Sequence, residues 1–167
     1  AIAIDFEGEG DSKTGESRHP VLLGTRQSNE LSFFLLDPRL KIFIRGQWPI
    51  EKRVTLASLD EAIAQILDRS IVEDRLIIFF SQHEPAVIEQ LVTGDLLERL
   101  SPRLADTKPL LCKAARARTG ARVREQTLFE LARLWRPRLT DNQLDIEVGN
   151  TIRRLRNATT GKTRLDQ

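Results

Sequence analysis

The 167-residue chain is 40% hydrophobic and 30% charged, with a formal net charge of +2, one cysteine and two histidines. That length and composition suit one ordinary soluble globular domain with a full core. No apolar run reaches the roughly 18 residues of a membrane span, and the first residues lack the charged start and small-residue cleavage site of a signal peptide. The lone Cys112 cannot form an internal disulfide, and without a Cys/His cluster a zinc site is not expected. A reducing cytoplasm is therefore the expected compartment, with no membrane partner.

Residues 1–7 read as a buried strand that runs into Asp5 and Glu7. Gly8, Gly10 and Gly15, with Asp11 and Ser12, read as a long turn. Two further strands are predicted over Pro20–Arg26 and Leu31–Leu36, joined by a tight polar turn at Ser28–Glu30. Lys41–Arg45 reads as a fourth, short extended piece, so the first third is a β-meander.

A helix follows, with Thr55 or Ser58 as its cap, Asp60 and Glu61 in its first turn, and Leu59, Ile63, Ile66 and Leu67 as its apolar stripe. Arg75–Phe80, rich in branched and aromatic residues, reads as a strong buried strand. Ser81–Pro85 ends it and starts a second helix, with Val87, Ile88 and Leu91 inward. Leu104–Asp106 is a short strand leading into Pro109–Arg118, and Ala117–Arg124 is an arginine-dense loop. Gln126–Trp135 is a helix with Leu128, Leu131, Ala132 and Trp135 inward, stopped by Pro137. A last helix is capped by Thr140 or Asp141 and carries Leu144, Val148, Ile152 and Leu155 on its stripe. The expected organisation is one domain over 1–157 and a flexible tail over 158–167. Strands first and alternating elements later give an α/β class with a mixed sheet.

The small net charge hides an asymmetry. Residues 1–100 hold 11 Lys/Arg and 17 Asp/Glu, a balance of −6, while residues 101–167 hold 15 and 7, a balance of +8. Such a division suits an enzyme that holds metals on one side and phosphates on the other. Solvated helix faces are the plainer cause of charge runs.

Asp5 and Glu7 are the sharpest chemical signal. In a strand, alternate side chains share a face, so these two carboxylates lie side by side. Like charges at the end of a core strand call for a cation between them, and Mg²⁺ or Mn²⁺ with oxygen ligands fits. The plain alternative is that both are simply solvated at the strand's end.

With Asp5-Phe6-Glu7 on the first strand, a meander after it, and Ser81-Gln82-His83-Glu84 after a later core strand, the chain resembles the ribonuclease H-like superfamily, specifically the DEDD-type 3′–5′ exonucleases. The resemblance implies a mixed sheet opened by a three-strand antiparallel meander, with helices packed on both faces. It implies that Asp5 and Glu7 bind two catalytic Mg²⁺ or Mn²⁺ ions. Glu84 stands where the second motif usually has an Asp, and some similar nucleases linked to RecB-type proteins carry a Glu there. Asp145 is the best match to the acid on the final helix. The implied activity is phosphodiester hydrolysis on DNA or RNA, acting at a single-stranded end.

The chain departs from that pattern in its base. The family places a Tyr or His four or five residues before the last acid, whereas this chain has no Tyr and has Thr140 and Asp141 there. His83 is the candidate base, since imidazole titrates near neutral pH; its plain reading is a helix-end hydrogen-bonding residue. Glu84 and Asp145 have plain readings too, as a helix-start charge and an exposed helix residue. Arg116, Arg118, Arg122 and Arg124 are candidate phosphate contacts, and Trp48 and Trp135 are candidates for base stacking. The competing function is a ribonuclease H-like domain that has lost catalysis and serves as a nucleic-acid-binding or protein-interaction module.

Overall fold

The computed structural model describes residues 1–9, 19–38, 54–120 and 128–135. It is α/β, built on a six-stranded mixed sheet in the order β4-β3-β2-β1-β5-β6. The strands are β1 Ile2–Glu9, β2 His19–Gln27, β3 Glu30–Leu35, β4 Val54–Leu56, β5 Ile77–Phe79 and β6 Leu104–Asp106. The helices are α1 Leu59–Val72, α2 His83–Leu91, α3 Gly94–Leu100, α4 Lys108–Thr119 and α5 Leu128–Trp135.

Strand β1 is the pivot. It pairs antiparallel with β2, which pairs antiparallel with β3, and it pairs parallel with β5, which pairs parallel with β6. The β2–β3 turn is tight, since Gln27 pairs with Glu30 across Ser28 and Asn29. Ser28 takes φ 53, the left-handed region, to turn the chain back.

Alternation sets the two faces of the sheet. Ile2, Ile4 and Phe6 of β1 are buried with Leu23, Phe34, Ile77 and Phe79. On that face they meet Ile63, Ile66 and Leu67 of α1, Val87 and Ile88 of α2, and Leu100 of α3. Removing this much apolar surface from water is the main stabilising term of the fold. The opposite face carries Ala3, Asp5 and Glu7, with half-buried Leu22, Phe33 and Ile78 beside them. Helices α4 and α5 pack on each other, and their buried Ala115 and Leu131 lie outside the main core cluster.

Helix α1 begins where a capping box is complete. Ser58 Oγ accepts from the Glu61 backbone N–H at 3.3 Å, and Glu61 Oε2 accepts from the Ser58 N–H at 2.8 Å. At its other end, Arg69 reaches Glu30 at 2.8 Å and Glu73 at 3.0 Å, and Gln27 donates to Glu73. These contacts tie the β2–β3 turn to the end of α1.

Several sequence expectations shift. Gly8 is not in a turn: it lies within β1, at a register shift that leaves Val21 of β2 as the extra residue. Ser58, not Thr55, caps α1, because Thr55 belongs to β4 and pairs with Phe34. Arg116 and Arg118 are in the last turn of α4, not in a loop; Gly120, at φ 68, ends that helix. Trp135 is 40% exposed although its period places it on the inner stripe. The expectations for Lys41–Arg45, Trp48, Arg122, Arg124, Asp145, the last helix and the tail lie outside the described residues.

Candidate functional site

Three parallel strands, β1, β5 and β6, end on the same side of the sheet. The chain leaves β1 towards β2 and leaves β5 towards β6, so the strand order divides between β1 and β5. In open α/β sheets, ligands collect in the crevice beyond the carboxyl ends at such a division. Asp5 lies midway along β1 and Glu7 towards its carboxyl end, and Ser81–Glu84 follows the carboxyl end of β5.

Asp5 is exposed, Glu7 is half-buried, and both project from the face opposite Ile4 and Phe6. Across from Asp5 in register is Gly24, which presents no side chain. A Cβ built there would meet only the Phe33 ring at 3.7 Å and the Asp5 backbone oxygen at 3.8 Å. Gly24 thus adds no side chain of its own beside Asp5, and the Phe33 ring of β3 lies over it. Gly8 has the opposite reason to be glycine. A Cβ there would sit 2.6 Å from the His19 carbonyl oxygen, so the close approach of β2 just past Glu7 requires its absence.

Glu84 is buried in the first turn of α2, and α2 packs against β1. Its Oε2 accepts from the Ser81 hydroxyl at 2.7 Å and from the Ser81 backbone N–H at 3.2 Å. Ser81 Oγ in turn accepts from the His83 backbone N–H at 3.0 Å. Glu84 shares its helix stripe with Val87 and Ile88, which face the core. It therefore approaches the end of β1 from the core side, while Asp5 and Glu7 come from the other face. The Ser81–Glu84 bonds also satisfy a buried carboxylate near a helix N-terminus, a structural duty that Glu84 performs whatever else it does.

Asp106 closes the end of β6. Its Oδ1 accepts from the Lys108 backbone N–H at 2.8 Å and its Oδ2 accepts from Gln82 Nε2 at 3.1 Å. Thr107 donates through its N–H and its hydroxyl to the Phe79 carbonyl at 2.9 and 2.7 Å. The ends of β5 and β6 are thereby locked together, and α4 starts from a fixed point.

The structure thus brings Asp5 and Glu7 together. Among the described residues, no three His, Cys, Asp or Glu side chains form a group that could hold a metal ion. His83 is half-buried beside Glu84 in sequence, with its backbone committed to Ser81. Arg116 and Arg118 are exposed on α4. Two positions along a helix put them about 160° apart around its axis, so they leave α4 on nearly opposite sides. Lys108, not singled out from the sequence, lies with its Nζ 5.6 Å from the centroid of the Phe80 ring. Its position at the head of a helix after a short strand was the available signal.

No protein-family model matches the chain, and no curated protein matches it in sequence. No helix among the described residues is long and apolar enough to cross a membrane.

Proposed function

We propose that the chain is a ribonuclease H-like domain that hydrolyses phosphodiester bonds in DNA or RNA, working as a 3′–5′ exonuclease on single-stranded ends. One observation carries this reading: Asp5 and Glu7 project from one face of the pivotal strand, beside the division of the strand order. The antiparallel β1–β2–β3 meander, and a later core strand followed by Glu84 on a helix, agree with what the resemblance implies.

The donor set suits Mg²⁺ or Mn²⁺, since carboxylate oxygens are the ligands hard divalent cations take. Asp5 and Glu7 would hold the ions. Glu84 comes from the core side and does not group with Asp5 and Glu7, so it would reach the ions only around the strand end, through Oε1, which its Ser81 bonds leave unused. Asp145 would complete the set. The chemistry such ions supply when bound is activation of a water and neutralisation of charge on the leaving oxygen. His83 would accept the proton of that water, in place of the Tyr or His this chain lacks before Asp145.

A second reading is favoured by the hold of Ser81 on Glu84. A carboxylate already satisfied by two donors is a poorer ligand, which suits a nucleic-acid-binding domain without catalysis. Digestion of end-labelled single-stranded DNA and RNA in Mn²⁺ separates the two. The exonuclease reading expects stepwise shortening from the 3′ end by the natural chain and none by Asp5→Asn. Equal cleavage by both proteins assigns the activity elsewhere, and retained binding without cleavage favours the second reading.

A further inference from the structure

We infer that Lys108 is a phosphate-contacting residue of this site, setting the sugar-phosphate backbone against the Asp5–Glu7 face; the inference rests on the nucleic-acid reading above. Strand β1 pairs with β5 at Ile2–Ile77 and Ala3–Ile78, so Asp5 and Glu7 lie beyond the paired residues, towards the end at which β5 stops at Phe79. Phe79 pairs there with Asp106, the last residue of β6, and Phe80 follows it. Lys108 opens α4 just after β6, and its ammonium lies 5.6 Å from the Phe80 ring centroid, a cation at the strand ends towards which the carboxylates lie.

Lys108 is also held at both ends. Its backbone N–H is fixed by Asp106, and the preceding Thr107 is fixed by Phe79. Its ammonium lies within the range of a cation–π contact with Phe80. A free lysine loses considerable rotamer freedom when it binds a ligand, and one already ordered loses less. An aromatic face occupies one side of an ammonium and leaves donors for phosphate oxygens.

The helix behind it continues the track. Helix α4 contains no Asp or Glu between Lys108 and Thr119. Arg116 lies about 80° around the axis from Lys108 and about 12 Å along it. A strand leaving Lys108 along α4 therefore meets a second cation, on the side that Arg118 does not face.

The test measures binding of a fluorescein-labelled twelve-residue oligo(dT) and the matching oligo(rU) to the full chain. It is run across a salt series, in Ca²⁺ to separate binding from cleavage. Lys108→Gln and Lys108→Met are expected to weaken binding and to reduce the slope of log K against log[salt] by about 0.7, the share of one phosphate contact on a single strand. Lys108→Arg is expected to keep the slope. Arg99→Ala, a charge-matched change on α3 among the helices of the core face, is expected to leave it unchanged. A natural slope in both Lys108→Gln and Lys108→Met overturns the inference, as does an equal loss in Arg99→Ala or failure of the natural chain to bind either oligonucleotide. Lys108-dependent binding without Mn²⁺ cleavage keeps the inference and removes the exonuclease. Cleavage with Lys108-independent binding does the reverse.

Discussion

The two glycines that flank the acidic pair differ at the scale of single atoms. Gly8 has backbone oxygen 2.6 Å from where a Cβ would be, and Gly24 has nothing closer than 3.7 Å. Gly8→Ala must push β2 away from β1, which is expected to cost about 1–3 kcal/mol and to displace the neighbouring Glu7. Gly24→Ala fits by ordinary contact with Phe33 and is expected to leave the urea midpoint nearly unchanged. Comparable losses in the two variants would show that the register shift after Glu7 does not depend on a bare Cα. At this scale the sequence is readable for type and poorly readable for placement. Asp5 and Glu7 were legible because a period of two needs no partner to be seen. The engagement of Glu84 by Ser81 was hidden, because a helix-start carboxylate and a metal ligand have the same local pattern.

Helix α1 shows what an element's ends contribute. Its capping box makes Ser58→Ala an expected loss of about 1 kcal/mol, read from the urea midpoint. The same helix carries a pH dependence. The Ser58 backbone N–H and then its hydroxyl hold Glu61 below the usual carboxylate value of 4.5, and Arg69, with Gln27 beside it, does so for Glu73. A carboxyl group with a lowered folded pKa stabilises the fold above its unfolded value and loses that contribution as pH falls through the folded one. Stability from these two groups is therefore full above about pH 5 and declines as pH falls below 4.5. Glu61→Gln is expected to flatten that part of a stability-against-pH curve; an unchanged curve would remove Glu61 from the account. The elements legible in the sequence were β1, β2, β3, β5, β6, α1, α2 and α5. Strand β4 was hidden because it runs close up to the cap of α1, where Thr55 reads as a capping residue, and α3 is short and begins at Gly94, which reads as a break. The last turn of α4 overlaps the segment Ala117–Arg124 that reads as an arginine-dense loop. Trp135 shows that a stripe identifies a face and not a depth of burial.

For the whole molecule, the informative relation is between charge and topology. Strand β1, with Asp5 and Glu7, lies two strands from β6, after which α4 runs without an acid. The mixed sheet was legible from the order of elements, whereas the position of β1 between β2 and β5 follows only from pairing. The central claim is that Asp5 and Glu7 form a divalent-cation site, and Mn²⁺ binding followed by electron paramagnetic resonance of the free ion tests it without requiring turnover. The account predicts that the full chain depletes free Mn²⁺ and that Asp5→Asn and Glu7→Gln each weaken this at least about tenfold. Depletion that is equal in all three proteins would contradict it.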